Sequence, residues 1–418
     1  MIATRLRQFF TPLSSPERAD YAVLLYTAAT LPIAWRLSMW GVVAFLLTSF
    51  AQLCSSRRLG WHSTTKGQRV VMGLMLLFFV IYFISGSLST DQHYGWNTTG
   101  RKLPFVAIPL AFVLADKRYL SGRHLRLIFY LLWASVSLRF GYDGLRALIH
   151  WLQGAPLNTL IGESFSQLHH TYYALYAITG AAFIYSELMR RIDQYHWDSR
   201  CWWLLLALIP PFATVVISNS RTGIICAALL VAIGAIDYLV SQRRWKQMLI
   251  GLGIILAVVL VLFRIMPKEY NRFGLELQAL RSGQESTRMI MLRSAVETAS
   301  KSPVWGYGSG DYEAPLQQQY VNNGYSDGLD KHQGSHNQYL ETMLECGIFG
   351  TLTLIAMLVA PVITSLRRKK GRRLVCSVVM VIAVSIFFES MLGRQMGIIF
   401  FCFVLSMLPM ACRNPQED

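Results

Sequence analysis

The stretch from Ser335 to Gly350, SHNQYLETMLECGIFG, sets a histidine and an asparagine side by side at the polar mouth of an apolar helix. A histidine there can take a proton near neutral pH. From 336 to 347 is close to three helical turns, so His336 and Gly347 fall on one face, with Leu340 and Met343 on the same stripe and Gly350 slightly off it. The glycines would let a second helix approach closely and so hold the histidine end rigid. Glu341 and Glu345 lie one turn apart on a neighbouring stripe. Carboxylates this far into an apolar helix are expected to face the bundle interior. On this stretch alone, a helix-start histidine with an ordinary packing seam explains the pattern equally well.

Two arginines add to the histidine. Arg221 lies in ISNSRTG, a short link between two long apolar runs, and Arg288 lies in ESTRMIMLR on an amphipathic stretch. Arg293 is best read as a solvated charge. Arg139, His169, His170, Glu389 and Arg394 are further candidates, each of which, taken alone, is better explained by an ordinary structural role. Convergence favours function, because Arg221, Arg288, His336 and Arg394 map to the same side of the membrane in the topology below. Several arginines and a histidine around one cavity suit a polyanion with a leaving group, since arginine binds phosphate bidentately and stays charged.

The elements that must position these groups are membrane helices. Of 418 residues, 53% are hydrophobic and 15% charged, against about 25% charged in a soluble chain. The apolar residues come in long runs such as VVMGLMLLFFVIYFI and LIGLGIILAVVLVLF. The expected fold is an all-α polytopic membrane protein with about twelve transmembrane helices and one large periplasmic loop domain between spans nine and ten. The spans are placed near residues 21–36, 39–54, 70–88, 103–115, 126–141, 171–188, 202–218, 222–240, 248–264, 337–364, 374–391 and 395–411. The corresponding division is 1–264 for helices one to nine, 265–335 for the periplasmic helical loop, and 336–418 for helices ten to twelve with a cytoplasmic tail.

The formal charge of +16 is concentrated in alternate short loops, such as Arg57/Arg58, Arg190/Arg191 and the RRKKGRR run from Arg367 to Arg373. By the positive-inside rule these loops are cytoplasmic, both termini are cytoplasmic, and the long segment before residue 336 lies outside. This distribution argues for topology rather than nucleic-acid binding. The basic N-terminus has no signal-peptide h-region, so the first span is expected to be a retained anchor. The seven cysteines form no CxxC pair and imply no disulfide framework. The GYGSGDYE tract lacks GKS/T and does not follow a strand, so it reads as a turn. No metal and no cofactor is expected, because no DxD or His/Asp cluster lies outside to hold a divalent ion.

His336-Asn337, nine residues, Gly347, two residues and Gly350 resemble the signature H-[NSQ]-x9-G-x2-[GTY] of bacterial O-antigen ligases. The SRTG tract at 220–223 is similar to an arginine segment of the wider O-antigen ligase/polymerase superfamily. The tract from Ser286 and Arg288 through Pro303 to Gly306/Gly308 resembles that superfamily's periplasmic region. The resemblance implies an inverting, metal-independent glycosyltransferase of the inner membrane. Its donor would be O-polysaccharide on undecaprenyl pyrophosphate and its acceptor a sugar hydroxyl of lipid A–core. It further implies His336 as general base, and Arg221 and Arg288 as the groups that hold the donor pyrophosphate. Asn337, Glu389, Arg394 and Arg139 are the candidates for supporting them. An O-antigen polymerase or a protein O-oligosaccharyltransferase would use a similar donor. A transporter or flippase would instead need charges near the midplane and paired broken helices.

Overall fold

A computed structural model describes residues 13–156, 165–242, 287–325 and 333–413. Among these residues regular structure is helical: α1 Ser15–Thr30, α2 Trp35–Ser56, α3 Lys66–Leu88, α4 Gln92–Arg101, α5 Pro104–Leu114, α6 Gly122–Leu152, α7 His170–Tyr195, α8 Ser199–Leu206, α9 Ile209–Ile217, α10 Arg221–Gln242, α11 Thr287–Lys301, α12 Glu313–Asn322, α13 Gln338–Arg368, α14 Arg372–Phe388 and α15 Gln395–Met407.

Six helical stretches among the described residues are long and apolar enough to cross a membrane: Trp35–Ser56, Lys66–Leu88, Ser199–Ile217, Arg221–Val240, Gln338–Arg368 and Gln395–Cys412. The chain is therefore a multi-pass membrane protein, but the expected count of about twelve is not met. The reasons are length and polarity. Helix α1 has 16 residues and α5 has 11, against the roughly 20 needed to span a bilayer. Helix α14, with 17, also falls short. Helix α6 is long but carries Arg139, Asp143 and Arg146 along its length. Helix α7 lies at the centre of the bundle, where it packs against α6, α8, α9, α10 and α14 and buries residues on every side from Thr171 to Tyr185. A helix buried all round belongs to a core. The expected span at 248–264 lies outside the described residues.

The separate loop domain before α13 is not distinguished either. Its first part, 265–286, lies outside the described residues. Helices α11 and α12, which follow, pack against the bundle: Met291, Ala295, Ala299, Tyr312, Leu316 and Tyr320 share one apolar cluster with Leu344 of α13. The amphipathic reading of α11 is met at Met291, Ala295 and Ala299, while Val296 is exposed.

The ends of the bundle differ in charge. Arg373 at the start of α14 is bound to Asp237 near the end of α10 and to Asp193 near the end of α7. Cys226 of α10 lies 3.8 Å from the Val381 carbonyl and from Ser385 Oγ of α14. These contacts set α10 antiparallel to α14. They put the starts of α7 and α10 at the end where α14 finishes, opposite the RRKKGRR run.

Candidate functional site

His336 does not sit on a continuous helix face. It precedes α13 in the left-handed region, with φ +49°, and Asn337 is the N-cap. The Asn337 Oδ1 accepts from the backbone N–H of Tyr339 and Leu340 at 3.0 and 3.1 Å, which satisfies two of the otherwise orphaned first-turn donors. Asn337 is thus used up in shaping the helix start.

Gly347 also departs from the helical expectation. It has φ +63° and ψ −158°, and breaks α13. A Cβ there would collide with the Val304 carbonyl, and one at Gly306 (φ +72°) would lie 2.6 Å from the Leu344 carbonyl. Tyr307 N–H donates to the Leu344 carbonyl at 2.7 Å, and Ile348 N–H to that of Pro303 at 3.0 Å. The glycines therefore admit a loop backbone into an open turn of α13, where a second helix was expected. The loop's continuation, GYGSGDYE, is a turn as expected. It docks on the end of α3 through Ser309 N–H to Ser85 Oγ and Gly310 N–H to Ser89 Oγ, at 2.8 and 2.9 Å.

The central contact is between His336 Nδ1 and Glu389 Oε1, at 2.9 Å. His336 is partly buried and Glu389 more so. Among the described residues no hydrogen-bond partner is recorded for Nε2. The hydrogen bond to Glu389 holds His336 above the usual imidazole range. Burial and Arg288 oppose it, whereas the charges of Glu389 and Glu341 reinforce it. For Glu389, burial pushes upward, but the hydrogen bond and charge of His336, with His169 and Arg288, keep it below the usual carboxylate range. Arg288, at the start of α11, is thus within electrostatic reach of both partners.

The turn that carries Glu389 is tied down on several sides. Ser390 Oγ donates to Glu341 Oε2 at 2.8 Å, and Glu341 Oε2 also accepts from Ser335 N–H and Oγ at 3.1 and 3.0 Å. Glu341 therefore joins the His336 turn to the Glu389 turn. Leu392 N–H donates to Gln338 Oε1 at 2.6 Å, and buried Lys102 donates to the Leu392 carbonyl at 2.5 Å. Tyr172 OH reaches the Met391 carbonyl at 3.3 Å. Glu341 and Glu345 both face inward as expected; Glu345 accepts from Tyr82 OH.

Arg221 opens α10 at the same end of the bundle, as the antiparallel pairing with α14 requires. Ser220 Oγ accepts from Gly223 N–H at 3.2 Å there. Arg394 is exposed at the start of α15, within charge range of Tyr172. Arg139 is not part of this group. It binds buried Asp143 at 2.8 Å and the Ile33 carbonyl at 3.1 Å, while Ser166 Oγ donates to the same carboxylate at 2.7 Å. His169 and His170 stack at 4.5 Å between ring centroids. Sequence reasoning missed Lys102, Ser390 and Gln338. Only the polarity of Ser390 beside Glu389 hinted at them. Among the described residues no group of three or more His, Cys, Asp or Glu is arranged to hold a metal.

Comparison with known proteins finds similarity over part of the chain. A protein of Haemophilus influenzae described as uncharacterized is 25% identical over 223 residues, 48% of this chain and 55% of that protein. The chain thus spans about half the length of the curated relative it matches. Residues 204–355, which hold Arg221, Arg288, His336 and both glycines but not Glu389, match the family model Wzy_C, described as O-antigen ligase.

Proposed function

We propose that the chain is an O-antigen ligase, transferring O-polysaccharide from undecaprenyl pyrophosphate to a sugar hydroxyl of lipid A–core. The observation that carries this reading is the His336–Glu389 pair beside Arg288, with His336 and Arg288 inside the matched stretch. In this reading His336 Nε2 removes the proton of the acceptor hydroxyl. The hydroxyl oxygen attacks the anomeric carbon, the bond from that carbon to the pyrophosphate oxygen breaks, and configuration inverts. Arg221 and Arg288 hold the departing pyrophosphate, where fixed positive charge stabilises the transition state more than the ground state. Helices α7, α10 and α13 begin at this end, so their N-terminal dipoles favour an anion there as well.

In this reading the site end, opposite the basic end of α13, faces the periplasm of a bacterial inner membrane, an orientation that the positive-inside rule supports. Arg413 near the C-terminus donates to the Leu120 carbonyl before α6, and Tyr21 of α1 to the His124 carbonyl. Both described termini thus sit at the basic end, which in this reading is cytoplasmic. The test is a lipopolysaccharide gel of a deletion strain. Lipid A–core without O-polysaccharide is expected, with wild type restoring the ladder and His336→Ala failing to. A ladder restored equally by His336→Ala would sink the assignment, and core capped by a single repeat would indicate a polymerase.

A further inference from the structure

Glu389 lies beyond the stretch matched to the family model, and 53 residues from the histidine it touches. From the geometry we infer that Glu389 is the positioning residue of His336: it keeps the ring proton on Nδ1 and presents Nε2 as the acceptor of the substrate proton. The inference rests on the reading of His336 as the base.

Two observations and one property of imidazole carry it. The Nδ1–Oε1 separation of 2.9 Å fits a charge-assisted hydrogen bond. An imidazole that donates through Nδ1 has its lone pair on Nε2, so the partner of one nitrogen decides which nitrogen is basic. The Glu389 turn is also fixed independently of His336, by Glu341 through Ser390, by Gln338 and Lys102 at Leu392, and by Tyr172 at Met391. A carboxylate on a clamped turn can aim a ring, whereas one on a loose turn would follow it. The arrangement parallels the orienting carboxylate of a Ser-His-Asp triad, which sets the tautomer without itself taking the proton.

The other charged groups facing the pair are Arg288 on α11, Glu341 on α13 and His169 before α7. Replacing Glu389 by Gln retains an acceptor for Nδ1–H and removes the charge. The imidazole then binds its proton less tightly, under the remaining influence of Arg288. The acidic limb of the rate–pH profile therefore moves to lower pH, while the plateau falls because the imidazolium formed in the transition state loses its counter-charge. Replacing Glu389 by Ala removes the acceptor too, and costs about 100-fold in transfer, at the low end of what a positioned base supplies.

The experiment uses the full chain in lipid nanodiscs, with lipid-linked glycan and lipid A–core as substrates. Transfer is measured across pH for wild type, E389Q and E389A, with thermal melting to confirm that each variant is folded. In parallel, 15N-histidine spectra of the same samples read the tautomer of His336, assigned by its loss in H336Q. The expected result is an Nδ1–H ring in wild type and in E389Q, a mixed tautomer in E389A, and the profile shift in E389Q. A wild-type ring protonated on Nε2, or a His336 signal indifferent to E389A, overturns the inference whatever the protein catalyses. Unchanged rate and profile in both variants overturn it while leaving the ligase reading intact. Wild type that transfers nothing refutes the ligase reading, and the tautomer then decides the pairing on its own.

Discussion

Replacing Gly347 by Ala tests whether the break in α13 holds the site together. At φ +63° and ψ −158° the residue occupies a region that is essentially restricted to glycine, where another side chain costs about 1–3 kcal/mol. The new Cβ would also collide with the Val304 carbonyl, so the 303–307 loop must withdraw. Withdrawal breaks the bonds from Tyr307 N–H to Leu344 and from Ile348 N–H to Pro303, at about 1 kcal/mol net each. The sum is about 3–5 kcal/mol, large for a substitution that adds one methyl group. Gly73 is the control: it is an exposed glycine inside α3 with nothing near its missing Cβ. Alanine there should be neutral or stabilising by roughly 0.5–1 kcal/mol. Thermal melting in detergent and limited proteolysis across residues 303–311 are the assays. Gly347→Ala should melt lower and expose the loop to cleavage, while Gly73→Ala should do neither. If both variants melt and resist protease like wild type, the backbone argument fails.

Three further outcomes follow from other parts of the structure. The depressed Glu389 stabilises the fold above its ordinary value of 4.5 and loses that contribution as pH falls through its folded value. The raised His336 stabilises fully below 6.5 and loses its contribution as pH rises through its folded value. The melting difference between wild type and His336→Gln should therefore be greatest between pH 4.5 and 6.5 and shrink on either side; a difference constant with pH would count against the pair. At the opposite end, buried Asp20 holds buried Lys117 at 2.5 Å and accepts from Thr48, Ser49 and Tyr119. Asp20→Ala should cost about 3–5 kcal/mol by leaving a buried ammonium unpaired. Asp20→Ala with Lys117→Met should recover part of that in melting experiments, and simple additivity would contradict the coupling. Arg221→Lys keeps the charge but loses the bidentate fork. It should lower ligation roughly tenfold, read from the lipopolysaccharide ladder, if the fork matters; full ligation would show that charge alone suffices there, and full ligation by Arg221→Ala would remove Arg221 from pyrophosphate binding.

The sequence is legible where one physical cause dominates. The stretches at 39–54, 70–88, 202–218, 222–240, 337–364 and 395–411 were visible because unbroken apolar length is what a bilayer selects. Residues 171–188 looked alike in hydropathy, yet α7 is buried by other helices on every side. Hydropathy records that a residue avoids water; whether protein or lipid takes its place is a tertiary fact. The same division runs through the site. His336 and Arg288 stood out by residue type, and Asn337 by position. Glu389 was among the candidates too, but its pairing with His336 was not legible, because His336, Glu389 and Arg288 come from three separate helix ends. Arg139 shows the converse difficulty: its type suits an anion site, but residue type does not show that Asp143, four residues on, holds it. The glycine spacing was noticed for a real reason, a close approach. Periodicity assumed a helix as the visitor, while the positive φ angles of Gly306 and Gly347 belong to two backbones meeting.

The strained conformation of His336 fits this account. A non-glycine residue at φ +49° persists only where its surroundings over-determine it. Here they do so from both flanks. On one side Ser335 is bound through N–H and Oγ to Glu341, and on the other Asn337 is locked into the first turn of α13. With both neighbours fixed, the histidine backbone has no freedom to relax, and the strain is borne by the fold. The side chain is then projected toward the end of α14, where Glu389 meets it. A relaxed, helical His336 would instead lie along α13, among the groups that Glu341 and Gln338 already engage. The left-handed turn thus separates the histidine from the packing network that supports it and gives one ring nitrogen to the carboxylate; in the proposed mechanism the other takes the acceptor's proton.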